Sequence, residues 1–161
     1  MTEDPKPSRD YLDTLQLYYE EEIEGEAFFA AIAERLEDKA EREKMQLMAD
    51  VETRAAAAVA PLLQKHGLTP RDRDELHANG RKQAGALKPD YAALIAEWQR
   101  DFPEFMDDFE GLEAMAPAED LPALKVLTAH EVAAIRFLDD EVAGKADSAA
   151  PLRTYLETGT A

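Results

Sequence analysis

The chain has 161 residues, 45% of them hydrophobic, and its 35 acids against 18 bases give a net charge of −17. That is enough apolar material for one domain with a core, while the negative surface repels nucleic acid and anionic lipid and excludes both as partners. The absence of cysteine removes disulfides, thiolate metal sites, iron–sulfur clusters and a cysteine nucleophile, and no apolar run approaches the roughly 18–20 residues of a membrane span.

The opening MTEDPKPSRD is polar and acidic, which reads as neither a signal nor a transit peptide and points to a cytoplasmic protein. Residues 1–7, with Pro5 and Pro7, read as a loose tail, and residues 8–157 as a single helical domain. Ser8 suits an N-cap, and the helix it opens is predicted to run to about Glu37 or Asp38. A second helix is predicted from near Ala40 to His66-Gly67, with Gly67 as a left-handed C-cap; the short connection makes the two antiparallel neighbours. Residues 68–88 are polar and carry Gly80 and Gly85, so they read as a crossover holding a short surface helix near 70–78 and a loop. A third helix is predicted from Pro89-Asp90 to about Met115, kinked or broken at Pro103. The fourth covers about 121–143 and stops at Gly144, and a short closing helix with Pro151 in its first turn covers 148–157. Strand-like alternation is absent, so the expected fold is an all-α, antiparallel four-helix bundle.

Two of these helices carry glutamates on their apolar seams. Steps of three and four along the first give Leu12, Leu15, Tyr19, Glu22, Glu26, Phe29, Ala33 and Leu36; along the second, Met45, Met48, Glu52, Ala55, Val59, Leu62 and His66. The fourth helix repeats the pattern with Leu124, Leu127, Glu131, Ala134, Leu138 and Glu141, and His130 lies beside Glu131. In the third helix the main stripe is aromatic, Trp98, Phe102, Phe105 and Phe109, and Asp108 lies on a neighbouring stripe. Folding the helices about their turns brings Glu22, Glu26, Glu52, Glu131 and Asp108 to similar depth. Two like charges about 4 Å apart repel by roughly 4 kcal/mol at an effective dielectric of 20, and each buried ion adds several kcal/mol of desolvation. A domain stable by roughly 5–15 kcal/mol cannot hold bare carboxylates in that way. They must bind a cation, share protons, pair with a base such as Arg54 or Arg136, or turn to water. Each candidate has a plainer reading. Glu22 and Glu26 belong to the run EEEIEGE, which suits a solvated acidic face; His130 suits a core histidine satisfied by its neighbours, His66 a helix C-cap, and His77 a surface residue.

The stretches AIAERLEDKAEREKMQLMADVETRAAAAVAPLLQKHG (31–67) and VLTAHEVAAIRFLDDE (126–141) resemble the ferritin-like, rubrerythrin-type superfamily. The resemblance implies a bundle binding two metal ions, with a carboxylate from each of the first and third helices, E-x-x-H from the second and fourth, and ferroxidase, peroxidase or oxygenase chemistry. Carried onto this chain, the motifs fall on Glu52-Thr53-Arg54-Ala55 and Glu131-Val132-Ala133-Ala134, with alanine where each histidine belongs; shifted by one residue, the second starts at His130 and ends at Ala133. In the first helix the overlay puts Tyr19 at the usual ligand and Glu26 where an aromatic is common. Two expectations follow. In one, iron, manganese or another oxygen-preferring cation, as one ion or two, is held by Glu22, Glu26, Glu52, Glu131, His130 and Asp108. In the other, the chain is a metal-free interaction or scaffold protein, a homodimer through an alanine-rich or aromatic face or the partner of an unidentified protein.

Overall fold

The computed structural model describes residues 6–161, so the part of the expected tail at 1–5 lies outside the described residues. The expected all-α class holds: among the described residues there are helices and no strand. In chain order they are α1 (Arg9–Glu34), α2 (Lys39–Lys65), α3 (Arg73–Gly85), α4 (Tyr91–Asp101), α5 (Met106–Met115), α6 (Leu121–Val142) and α7 (Ala150–Thr158). None is long and apolar enough to cross a membrane.

The helix starts follow local chemistry. The backbone N–H groups of Tyr11, Glu41, Glu75 and Ala93 donate to the side chains of Ser8, Asp38, Asp72 and Asp90, each filling an orphan donor of a first turn. Asp38 also explains why α1 ends at Glu34 rather than at Glu37 or Asp38: the residue that caps α2 is extended and cannot continue α1. Pro103 breaks the third helix as expected, and a 3-10 turn over Phe102–Phe105 separates α4 from α5.

The largest departure from the sequence expectation is α3. It was expected as a short piece near 70–78, but it runs to Gly85 and packs along α1. Gly80 was expected to mark a loop, yet it lies at the helix contact; a Cβ there would stand 2.2 Å from the backbone oxygen of Glu24. With α3 in place, the acidic run of α1 divides by direction. Glu20 accepts from the Arg71 backbone N–H at 2.9 Å and from the Gln16 amide at 3.2 Å. Glu24 lies 3.8 Å from Arg71, and Glu26 lies 3.3 Å from Arg73 and 3.5 Å from His77. Only Glu21 and Glu22 of this run are left to face elsewhere.

The buried apolar residues form two main clusters with a polar layer between them. One cluster holds Phe29, Met45, Met48, Trp98, Phe137, Leu138 and Tyr155. The other holds Tyr11, Leu15, Val59, Leu62, Phe109, Leu112, Leu124 and Leu127. Along α1, α2 and α6 the switch between clusters falls at Glu22, Glu52 and His130-Glu131, where the apolar seams are interrupted.

Candidate metal centre

Three helices converge on His130. Its Nε2 lies 3.1 Å from Glu22 Oε2 of α1, 3.5 Å from Glu52 Oε2 of α2 and 3.9 Å from Oε2 of Glu131, its neighbour on α6. One donor atom each from Glu22, Glu52 and His130 fall within 4.8 Å of one another. The site is mostly buried: Glu22, His130 and Glu131 are 4%, 2% and 5% exposed, and Glu52 is half-buried. Two aromatic rings pack near the imidazole. The Phe109 ring meets it edge-on at 5.3 Å, and the Tyr155 ring of α7 lies 6.4 Å away. On the far side of the ring, Nδ1 contacts the Leu127 carbonyl. A proton on Nδ1 is donated to that oxygen, which leaves Nε2 as the atom that faces the carboxylates, the arrangement by which proteins orient a ligating histidine.

Two carboxylate oxygens of the cluster stand out. Glu22 Oε2 and Glu131 Oε1 are buried without a hydrogen-bond partner, Glu22 Oε2 having only its ion-pair approach to His130 Nε2. By contrast Glu20, nearly as buried but two residues earlier on α1 and so on another side of the helix, has two donors. Backbone is also cleared for the cluster: a Cβ on Gly25 would lie 3.0 Å from Glu52 Cδ and 3.1 Å from its Oε1, so glycine leaves the carboxylate its room. A cation is what such a donor set accommodates.

The electrostatics agree. Burial pulls the His130 pKa down, but the Glu22 carboxylate, followed by Glu131, outweighs burial and pushes it up to about 10. Burial raises Glu131 to about 7, with Glu22 adding repulsion and His130 opposing it. Glu21 is also raised to about 7, first by desolvation and then by Glu22, Glu24 and Asp108. In the metal-free chain these shifts share one direction. Each group binds a proton more tightly folded than unfolded, so its stabilising contribution is full at low pH and fades as pH climbs from the unfolded to the folded pKa. Asp120 and Glu141 are shifted down, so what they contribute is lost only on acidification. Urea unfolding of the metal-free chain at fixed ionic strength is therefore expected to show stability declining from about pH 5 to about pH 9. A flat profile contradicts the buried cluster.

The centre opens onto a cavity of about 150 Å³ walled on one side by Tyr18, Phe102, Phe105 and Phe109. Asp108 lines it but is exposed, at the mouth rather than in the cluster. Of the residues expected from the seams, the structure thus brings together Glu22, Glu52, Glu131 and His130, with both Glu131 and His130 buried at the centre. It places Glu26 on the α3 side, against Arg73 and His77, and Asp108 at the rim. Gly25, Phe109 and Tyr155 have parts in the site that the seam pattern did not reveal.

A second polar cluster has no counterpart in the seam pattern. Asp120, fully buried before α6, accepts from the Tyr11 hydroxyl at 2.6 Å and from Lys65 Nζ at 2.7 Å, and lies 2.7 Å from His66 Nε2. His66 caps α2 as expected, but it also joins this knot of α1, α2 and α6. Every charge here has a partner, so this cluster is structural.

Compared with protein-family models, characterised proteins and solved structures, the chain matches none of them.

Proposed function

We propose that this chain is a divergent ferritin-like protein that holds one oxygen-preferring divalent cation, manganese or iron, through Glu22, Glu52 and His130, with Glu131 beside them. In this reading α1, α2, the α4–α5 pair and α6 are the four bundle helices, and α3 is the crossover elaborated into a helix docked on α1. The observation that carries it is the convergence of three donor atoms within 4.8 Å, with the buried oxygens Glu22 Oε2 and Glu131 Oε1 unpartnered. A single imidazole among carboxylates suits manganese or iron better than copper or zinc. A single histidine and one donor triad also favour one ion over the pair that the family resemblance implies. When bound, such an ion supplies redox chemistry towards oxygen or peroxide. The chain's own part is orientation and exclusion. Leu127 fixes which imidazole nitrogen faces inward, Phe109 and Tyr155 hold the ring, and the apolar clusters keep water from both ends.

A metal-free scaffold has one observation in its favour. Glu22 and His130 lie at ion-pair distance, and a protonated Glu131 would leave the cluster nearly neutral without any metal. Glu52→Leu separates the two readings, because Glu22 still faces His130 in that variant. In metal-free protein the substitution removes a repelling, half-buried acid and is expected to stabilise by about 1 kcal/mol. With manganese at about 100 times its dissociation constant, the parent gains about 2.7 kcal/mol that the variant cannot. The order of melting temperatures should therefore invert on adding manganese. An order that stays the same with and without the ion supports the scaffold.

A further inference from the structure

We propose that the outer part of the cavity above the centre binds a small organic ammonium ion. The inference rests on the reading of this cavity as a cation site and names what shares it with the metal. Its walls divide by chemistry. Tyr18, Phe102, Phe105 and Phe109 offer aromatic surface, while Glu21, Glu22, Glu52, Asp108 and Glu131 offer only carboxylate oxygens. No lysine or arginine is among the lining residues, and the one imidazole, His130, is turned to the inner acids. One divalent ion offsets the two carboxylates of its triad, so Asp108, with Glu21 where it is ionised, leaves negative charge at the mouth when the centre is filled. Anions are repelled from such a cavity. At the inner end of the cavity, in the metal-free chain, Glu131 Oε1 is unpartnered on a lining residue only 5% exposed and can accept from a hydrogen-bond donor that enters. An alkylammonium supplies three N–H donors and a positive charge, and its apolar stem suits the ring faces.

Size sets the class. The whole cavity, about 150 Å³ and open at its mouth, is no larger than the space one benzene ring fills, so the portion of the ligand that enters is a short alkylammonium or a single-ring amine. The rim supports the same class. Phe105 is 45% exposed, a large apolar ring left in water beside Glu21 and Asp108. Its ring lies 5.8 Å from Phe102, on the 3-10 turn that Pro103 imposes at the mouth.

The test is a titration of the full chain, treated with chelator, with propylammonium, followed by amide chemical shifts. Potassium ion and 1-propanol serve as the charge-only and stem-only controls. Propylammonium is expected to bind at least about tenfold more tightly than either control, equivalent to about 1.4 kcal/mol. Shifts should centre on Tyr18, Phe105 and Asp108. The double variant Glu21→Gln/Asp108→Asn should weaken the amine about tenfold, while Glu37→Gln/Glu43→Gln, with the same change in net charge on exposed residues away from the cavity, should not. Binding no tighter than potassium, or equal weakening by both double variants, overturns the proposal. Manganese uptake is measured on a separate sample. A chain that takes manganese but does not prefer the amine refutes the ammonium site alone; one that prefers the amine but takes no manganese refutes the metal centre alone.

Discussion

Asp120→Ala is expected to destabilise the chain by about 3 kcal/mol, a loss on the scale of emptying a large core position. The carboxylate is fully buried and takes three contacts of 2.6–2.7 Å from Tyr11, Lys65 and His66. Removing it leaves the Tyr11 hydroxyl without its acceptor inside the core and strands His66 at the end of α2. Lys65 is 43% exposed, so water recovers much of its share, and the loss falls towards the lower end of what breaking a buried pair costs. For a domain of this length about 3 kcal/mol corresponds to a melting point lower by about 6–12 °C. Tyr11→Phe deletes one of the three contacts and should cost about 1 kcal/mol. Urea unfolding measures both. A loss under about 1 kcal/mol for Asp120→Ala contradicts the view that this knot ties α1, α2 and α6 together.

Gly80→Ala should cost about 2 kcal/mol, although alanine is much the better helix former. The gain in helix propensity is about 1 kcal/mol. Against it stands a Cβ 2.2 Å from the Glu24 backbone oxygen and 3.1 Å from the Phe28 nitrogen, where no flexible side chain can give way. α3 must lift from α1, which loosens the burial of Leu76 and Ala84 and the contacts of Arg71 and Arg73 with the α1 acids. Gly111→Ala is the matched control. It lies within α5, a Cβ there meets nothing within 4 Å, and alanine should stabilise by up to about 1 kcal/mol. Opposite signs at the two glycines are the expected result; a gain at both means that α3 does not sit against α1.

The seams were legible because apolar periodicity is a local property. Glu22, Glu52 and Glu131 interrupt those seams, and all three lie in the layer between the two apolar clusters. His130 was harder to place, since one stripe can claim either it or Glu131, and the structure buries both. Glu26 shares the Glu22 seam one turn on, so its orientation depends on what packs against the other flank of α1. That partner is α3, whose polar sequence and two glycines resemble a loop until Gly80 is seen as a contact point. Asp120 lies in a polar turn and looks like an exposed cap; only long-range packing shows that its side chain turns inward to Tyr11. Gly25 carries no pattern at all, because its role is the space it leaves for Glu52.

The most direct test of the metal centre is elemental analysis of the chain purified without chelator and then loaded with manganese. About one manganese or iron per chain is expected, bound more weakly as the pH falls and His130 and the carboxylates take up protons. The Glu22→Gln/Glu52→Gln variant should lose the metal while keeping its helical content. A chain that stays metal-free, with a melting temperature unmoved by added manganese or iron, contradicts the centre and leaves Glu22, His130 and Glu131 as a self-neutralised cluster in a helical scaffold.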